Sequence, residues 1–132
     1  MIVLDEQLLG RDLEHTIGKW YQGAVRYIID LRPHTVIKDD GIPQLLRQQN
    51  QASFVTINER DFWRKVEIDD QFCLVCLTLP DSRVKEISQS LRIAFGLPEF
   101  NTKAKRMGKV IRVTDEGISY YTFKDRRIKT VG

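Results

Sequence analysis

Phe72-Cys73-Leu74-Val75-Cys76-Leu77 is an unbroken apolar run of six residues. A strand that is apolar at every position has no face to give to water, so it belongs in the middle of a sheet covered on both sides. That places it in a mainly parallel sheet with helices packed over each face. The run also decides what its two cysteines can do. Residues three apart on a strand point to opposite faces, so Cys73 and Cys76 can neither pair nor share a metal, and they read as small buried hydrophobes.

The rest of the chain alternates around this run. Ile2-Val3-Leu4 is a short apolar strand, and Leu9, Leu13, Ile17 and Trp20 follow at helical spacing. Ala24 to Ile29 reads as a second strand, and Leu31 to Lys38, which contains Pro33, reads as a loop. Asp39-Asp40-Gly41-Ile42-Pro43 has the chemistry of a helix start, with acids at the positive end of the dipole and a proline in the first turn. Ser53 to Ile57 is a third strand, and a short helix is expected around Phe62-Trp63-Arg64-Lys65. Asp81 opens a helix carrying Val84, Ile87, Leu91 and Ala94 or Phe95, closed by Gly96 and Pro98. A polar helix over Asn101 to Met107 precedes a hairpin, Lys109 to Val113 and Ile118 to Phe123, turned at Thr114-Asp115-Glu116-Gly117. Strands alternating with helices predict a three-layer α/β/α sandwich with a mainly parallel central sheet and a C-terminal β-hairpin.

With 132 residues, 42% hydrophobic and 30% charged, the chain suffices for one domain, 1–132, that folds without disulfides or a structural metal. No apolar stretch approaches the roughly 18 residues of a bilayer span. The acidic start, Met1 to Glu6, is unlike a signal peptide, so a cytoplasmic protein with no membrane partner is expected. Charge is uneven. Residues 1–100 carry 12 basic and 15 acidic side chains, and residues 101–132 carry 9 basic and 3 acidic, so the net +3 is a mildly acidic body with a basic C-terminal extension. Lys103, Lys105, Arg106, Lys109 and Arg112 form one cluster. Lys124, Arg126, Arg127 and Lys129 form another around Tyr120, Tyr121 and Phe123. Basic groups interleaved with aromatics suit RNA, and they equally suit a solvated hairpin with a frayed tail.

In an open parallel sheet, ligands bind beyond the carboxyl ends of the strands, where the strand order reverses. Asp5 and Glu6 directly follow the first strand, Asp61 follows the third, and Asp39 and Asp40 begin the helix between them. Carboxylates gathered in one crevice repel each other unless a cation binds, and their hard oxygens select Mg²⁺ or Mn²⁺. Such a site can neutralise a phosphodiester and activate water. Asp39 or Asp40 could instead be a helix cap, and Asn58 with Asp61 resembles a cap of the short helix. Asp5 has no such structural duty. Arg47, Arg60, Arg64 and Lys65 could flank the crevice and hold a phosphate, or be solvated helix faces. His15 and His34 lack the neighbours that a zinc site needs.

Ile2-Val3-Leu4-Asp5-Glu6, Lys38 to Leu46, and Phe54-Val55-Thr56-Ile57-Asn58-Glu59-Arg60-Asp61-Phe62-Trp63 together resemble PIN and PIN-like domains, over roughly residues 1 to 113. The strand ending in Thr56, with Asn58 two residues on and Asp61-Phe62 after it, carries the likeness furthest. The resemblance implies a metal-dependent endoribonuclease, often the toxin of a toxin–antitoxin pair. It makes Asp5, Asp40 and Asp61 the catalytic acids, with Glu6 and Asp39 as further metal ligands and Thr56 and Asn58 in support. Arg60, Arg64, Lys65, Lys105, Arg106 and Lys109 are then candidate RNA contacts, and an antitoxin protein and a second copy of the chain are candidate partners. The further Glu that typical toxins carry on an early helix is missing between Ala24 and Lys38. A catalytically weak or inactive RNA- or protein-binding module therefore stands as the alternative. A phosphoacceptor receiver fits poorly, because the third strand ends in Thr56 and Ile57 where that fold needs an Asp.

Overall fold

The computed structural model describes residues 1–33 and 37–131. Its strands are β1 (Ile2–Leu4), β2 (Val25–Tyr27), β3 (Ala52–Thr56), β4 (Phe72–Leu77), β5 (Lys109–Thr114), β6 (Gly117–Thr122) and β7 (Lys129–Val131). Its α-helices are α1 (Leu13–Gly18), α2 (Ile28–Leu31), α3 (Ile42–Arg47), α4 (Glu59–Phe62), α5 (Ile87–Phe95) and α6 (Lys103–Arg106). The strands form one mixed sheet in the order β2-β1-β3-β4-β5-β6-β7. β2 through β5 run parallel, while β6 and β7 add antiparallel strands at the far edge. The chain steps from β1 to β2 on one side and returns to β3 on the other, so the reversal of strand order falls between β1 and β3.

The apolar run of β4 sits at the centre of this order and is buried along its whole length. Its alternate residues feed two cores. Cys73, Val75 and Leu77 pack with Leu13 and Ile17 of α1 and with Ile87, Leu91, Ala94 and Phe95 of α5. Phe72, Leu74 and Cys76 pack with Ile42, Leu45 and Leu46 of α3 and with Phe62 of α4. The cysteines thus lie in opposite cores, both free, and burial pushes each thiol up to about 12. The Phe54 and Phe62 rings, 5.4 Å apart, fasten α4 to the sheet. Truncating a buried ring of this kind costs about 3–5 kcal/mol, so the four-residue helix is held by packing rather than by its own propensity.

Several expected boundaries move. Ile28 and Ile29, expected in strand β2, begin α2 instead, because the Asp30 carboxylate accepts from the Tyr27 backbone N–H and starts a helical turn. The first helix begins at Leu13 rather than Leu9, after a 3₁₀ turn over Glu6–Leu8. The helix expected at Phe62 to Lys65 lies earlier, at Glu59–Phe62, where Trp63 turns to an extended conformation and Arg64 follows with a left-handed φ of 62°. Asp81 opens a 3₁₀ segment to Glu86 before α5 begins. The polar helix shortens to Lys103–Arg106. Within the expected loop from Leu31 to Lys38, Leu31 is helical, and His34, Thr35 and Val36 lie outside the described residues. The tail is not frayed: Lys129 to Val131 pair with Tyr120 to Ile118 as an edge strand. Among the described residues, no helix is long and apolar enough to cross a membrane.

Candidate functional site

β1 is three residues long and fully buried, so its continuation is delivered to the carboxyl edge of the sheet. There the Asp5 N–H donates to the Val55 carbonyl at 3.0 Å, continuing the β1–β3 pairing by one residue. This fixes the backbone of Asp5 beside the end of β3. The Thr56 Oγ1 hydroxyl, fully buried, donates to Asp5 Oδ2 at 2.6 Å. The Asn58 N–H then donates to that same hydroxyl at 3.0 Å. Asn58 in turn caps α4: its Oδ1 accepts from the Asp61 N–H at 3.3 Å, while its Nδ2 donates to Asp61 Oδ2 at 2.7 Å. The cap expected from the Asn58 and Asp61 spacing is therefore present, and it performs a second task. Asp5 and Asp61, 56 positions apart in sequence, are joined by a continuous run of hydrogen bonds through Thr56 and Asn58.

Asp39 and Asp40 open a 3₁₀ turn that leads into α3. The cap positions of that turn and of α3 are taken by Lys38 and Gly41, so neither Asp39 nor Asp40 stands as the expected cap. Both instead line a cavity of about 390 Å³ shared with Asp61, with Arg47 and Lys65 at its rim. Arg47 is engaged by Asp69 and by the Glu67 carbonyl, whereas Lys65 stands exposed. A second cavity, about 570 Å³, reaches Asn58 and Ile57 from the other flank, where Arg11 and Asp81 lie 3.5 Å apart.

The charges in this crevice strain against one another. Asp5 is 6% exposed, and desolvation raises its pKa above the ordinary carboxylate value. The hydrogen bonds from Thr56 and from the Glu6 backbone pull it back, and the Asp39 and Glu6 carboxylates push it up again. The Asp39 pKa is raised first by desolvation, then by Asp61, Glu6 and Asp40. Repulsion of this kind is what a bound cation relieves. The donor set, carboxylate oxygens with a neighbouring amide and hydroxyl, suits a hard divalent ion. Among the described residues, no three His, Cys, Asp or Glu side chains already close around a single point as a metal cage. The match is thus in donor chemistry and charge rather than in a preformed shell.

The expected RNA contacts divide. Arg60, Arg64 and Lys65 are exposed on or just after α4, next to the crevice. Lys105, Arg106 and Lys109 lie at or before the start of β5, and so at the opposite, amino edge of the parallel strands. Arg106 is 5% exposed, donates to the Phe100 carbonyl at 2.8 Å and lies 4.1 Å from the Phe95 ring centroid. Lys105 Nζ donates to the Pro98 carbonyl at 3.1 Å and Lys109 Nζ to the Glu99 carbonyl at 2.8 Å. Two further residues stand next to α4. Arg112 on β5 forms an ion pair at 2.7 Å with Glu59 of α4, and Trp63 follows α4 directly. The sequence offers no local signal for that contact, since it depends on β5 lying beside β4. His15 is exposed on α1, apart from these groups. No family model, no curated protein and no solved structure matches the chain.

Proposed function

We propose that the crevice beyond β1 and β3 is the active site of a metal-dependent endoribonuclease, carried on a three-layer α/β/α scaffold of the PIN-like kind. The hydrogen-bonded run Asp5–Thr56–Asn58–Asp61 is the observation that carries this reading. It is a device for fixing two distant carboxylates relative to each other, and helix capping alone does not require Asp5 to join it. Asp5, Asp39 and Asp61 would hold Mg²⁺ or Mn²⁺, with Glu6 and Asp40 deepening the negative field. A divalent ion there supplies charge neutralisation at the phosphodiester and acidifies the attacking water. Hydrolysis joins the water oxygen to phosphorus and breaks the bond to the leaving ribose oxygen, which takes up a proton. The chain's own part is orientation: Thr56 holds the Asp5 carboxylate, and Asn58 holds Asp61 and the first turn of α4.

The test is cleavage of a fluorogenic single-stranded RNA with EDTA, Mg²⁺ or Mn²⁺. The expected result is metal-dependent turnover that Asp61→Asn lowers by about a thousandfold, the loss of several kcal/mol of transition-state stabilisation. Turnover unchanged in Asp61→Asn would overturn the site. Binding of RNA with no turnover under any metal would favour the alternative, a PIN-like binding module.

A further inference from the structure

We infer that the surface directly beyond α4 is a platform for single-stranded RNA, built by Arg64, Arg126 and Arg112 on the rings of Tyr121 and Trp63. The inference rests on the reading of the acidic crevice as a site for RNA, and it assigns the path by which the strand reaches that crevice. Tyr121 is fully buried, and its hydroxyl accepts from the Arg64 backbone N–H at 3.1 Å. Trp63 packs edge-on to it with centroids 5.1 Å apart. Over this aromatic floor stand three guanidinium groups. Arg64 and Arg126 lie 5.0 and 4.8 Å from the Tyr121 centroid, and Arg112 lies 5.8 Å from that of Trp63.

Only one of the three is neutralised. Arg112 is paired with Glu59, whereas Arg64 and Arg126 have no carboxylate partner among the described residues. Each instead donates to the other's backbone carbonyl, Arg64 Nη1 to Arg126 O at 2.8 Å and Arg126 Nη2 to Arg64 O at 3.4 Å. This reciprocal pair draws together segments 62 positions apart in sequence and leaves two like charges, on exposed residues, each within 5.0 Å of the same ring centroid. Arg64 has a left-handed backbone, a conformation that costs a non-glycine residue about 1 kcal/mol or more. Two planar forks with free N–H groups recognise phosphate oxygens. The half-exposed Trp63 ring beside them offers a stacking surface for an unpaired base.

Position supplies the rest of the argument. Trp63 and Arg64 lie between Asp61, which lines the acidic cavity, and Lys65 at its rim. The platform and the acidic cavity are thus formed by adjoining residues of one segment, which lets a bound strand extend from one to the other. Neighbouring phosphates on basic groups and one phosphodiester over acids that need a cation is a division of charge that suits a polyanion, and an acidic protein segment has no use for the stacking ring.

The experiment uses the full chain carrying Asp61→Asn, in EDTA, and reads fluorescence anisotropy of a labelled single-stranded RNA of about 12 nucleotides over a range of salt. Changing Arg64 and Arg126 together to Gln should weaken binding at least tenfold and lower the slope of log K against log salt by about 1.4, the value for two lost phosphate contacts. Affinity and slope equal to the parent's would overturn the platform. A second measurement is independent of those variants: in a Trp20→Phe background RNA should quench Trp63 emission, and an unquenched Trp63 at saturating RNA would also overturn it. Binding to anionic phospholipid vesicles in place of RNA is a third overturning result. If the arginine dependence holds while no metal supports cleavage, the nuclease reading fails and the platform stands. If Asp61-dependent cleavage holds while binding ignores Arg64 and Arg126, the platform alone fails.

Discussion

The two ends of the parallel sheet treat charge in opposite ways. At the amino end, Lys105, Arg106 and Lys109 spend their N–H donors on the carbonyls of Pro98, Phe100 and Glu99, with Phe95, Phe100 and Tyr120 rings beneath Arg106 and Lys109. At the carboxyl end, Asp5, Glu6, Asp39, Asp40 and Asp61 gather, and desolvation first, then the fields of neighbouring carboxylates, raise Asp5 and Asp39. The first set is held by carbonyls and rings, although the buried Arg106 Nε has no hydrogen-bond partner among the described residues, whereas the second set has no ion-paired cation among them to offset it. Formal charge along the chain therefore misleads about field: the basic extension has the larger net charge, yet much of it is engaged in holding α6 and β5 in place. A group left in electrostatic conflict is a better pointer to function than a group that is merely charged.

The largest effect that tests this contrast is on stability. Arg106→Ala leaves the Phe100 carbonyl without its donor and strips the Phe95 ring of its cover, so urea denaturation should register a loss of about 3 kcal/mol. RNA cleavage per folded molecule should be unchanged, and a selective loss of cleavage would move function to the wrong end of the sheet. Next comes Thr56→Val, which keeps the shape of the side chain and removes the donor to Asp5. Calorimetric titration with Mn²⁺ should show affinity lowered about 10- to 100-fold, the usual cost of losing an outer-shell partner. Equal affinity would mean that Asp5 is not a ligand. Lys109→Gln, which loses a hydrogen bond and two cation–π contacts, should cost about 1 kcal/mol and leave RNA affinity alone.

The smallest effect is one of pH. Because the folded pKa of Asp5 lies above its unfolded value, the folded chain retains a proton that the unfolded chain has released. Stability therefore falls as pH rises through the window above the ordinary carboxylate value. Asp5→Asn should gain on the wild type as pH rises through that window in thermal melts without divalent ions, and Mg²⁺ should narrow the gap at neutral pH by stabilising only the wild type. A difference that does not change with pH would mean that Asp5 carries no such penalty.

How much of this was legible in the sequence depended on the range of the interaction. The six-residue run of β4 is bounded as its apolar composition dictates, because burial on both faces leaves no competing reading. The cap made by Asn58 and the acidic start of the segment before α3 are likewise local, and both were readable. Ile28 and Ile29 were not, since a short apolar run satisfies strand and helix alike and only the Asp30 contact to Tyr27 decides between them. β7 was hidden because its pairing is made by backbone groups at an antiparallel edge, while its Lys129 and Thr130 side chains look like any solvated tail. The acids at the carboxyl edge were placed from strand-end positions, whereas the contact of Arg112 with Glu59 arises only when β5 is placed beside β4.

The two thiols give the fold a reporter on each side of its sheet. Cys73 and Cys76 sit in separate cores on one strand, and each holds its proton far above neutral pH. An alkylating reagent that needs the thiolate should reach either only when the layer above it opens. The relative labelling rates of the two sulfurs then measure which half of the molecule breathes first.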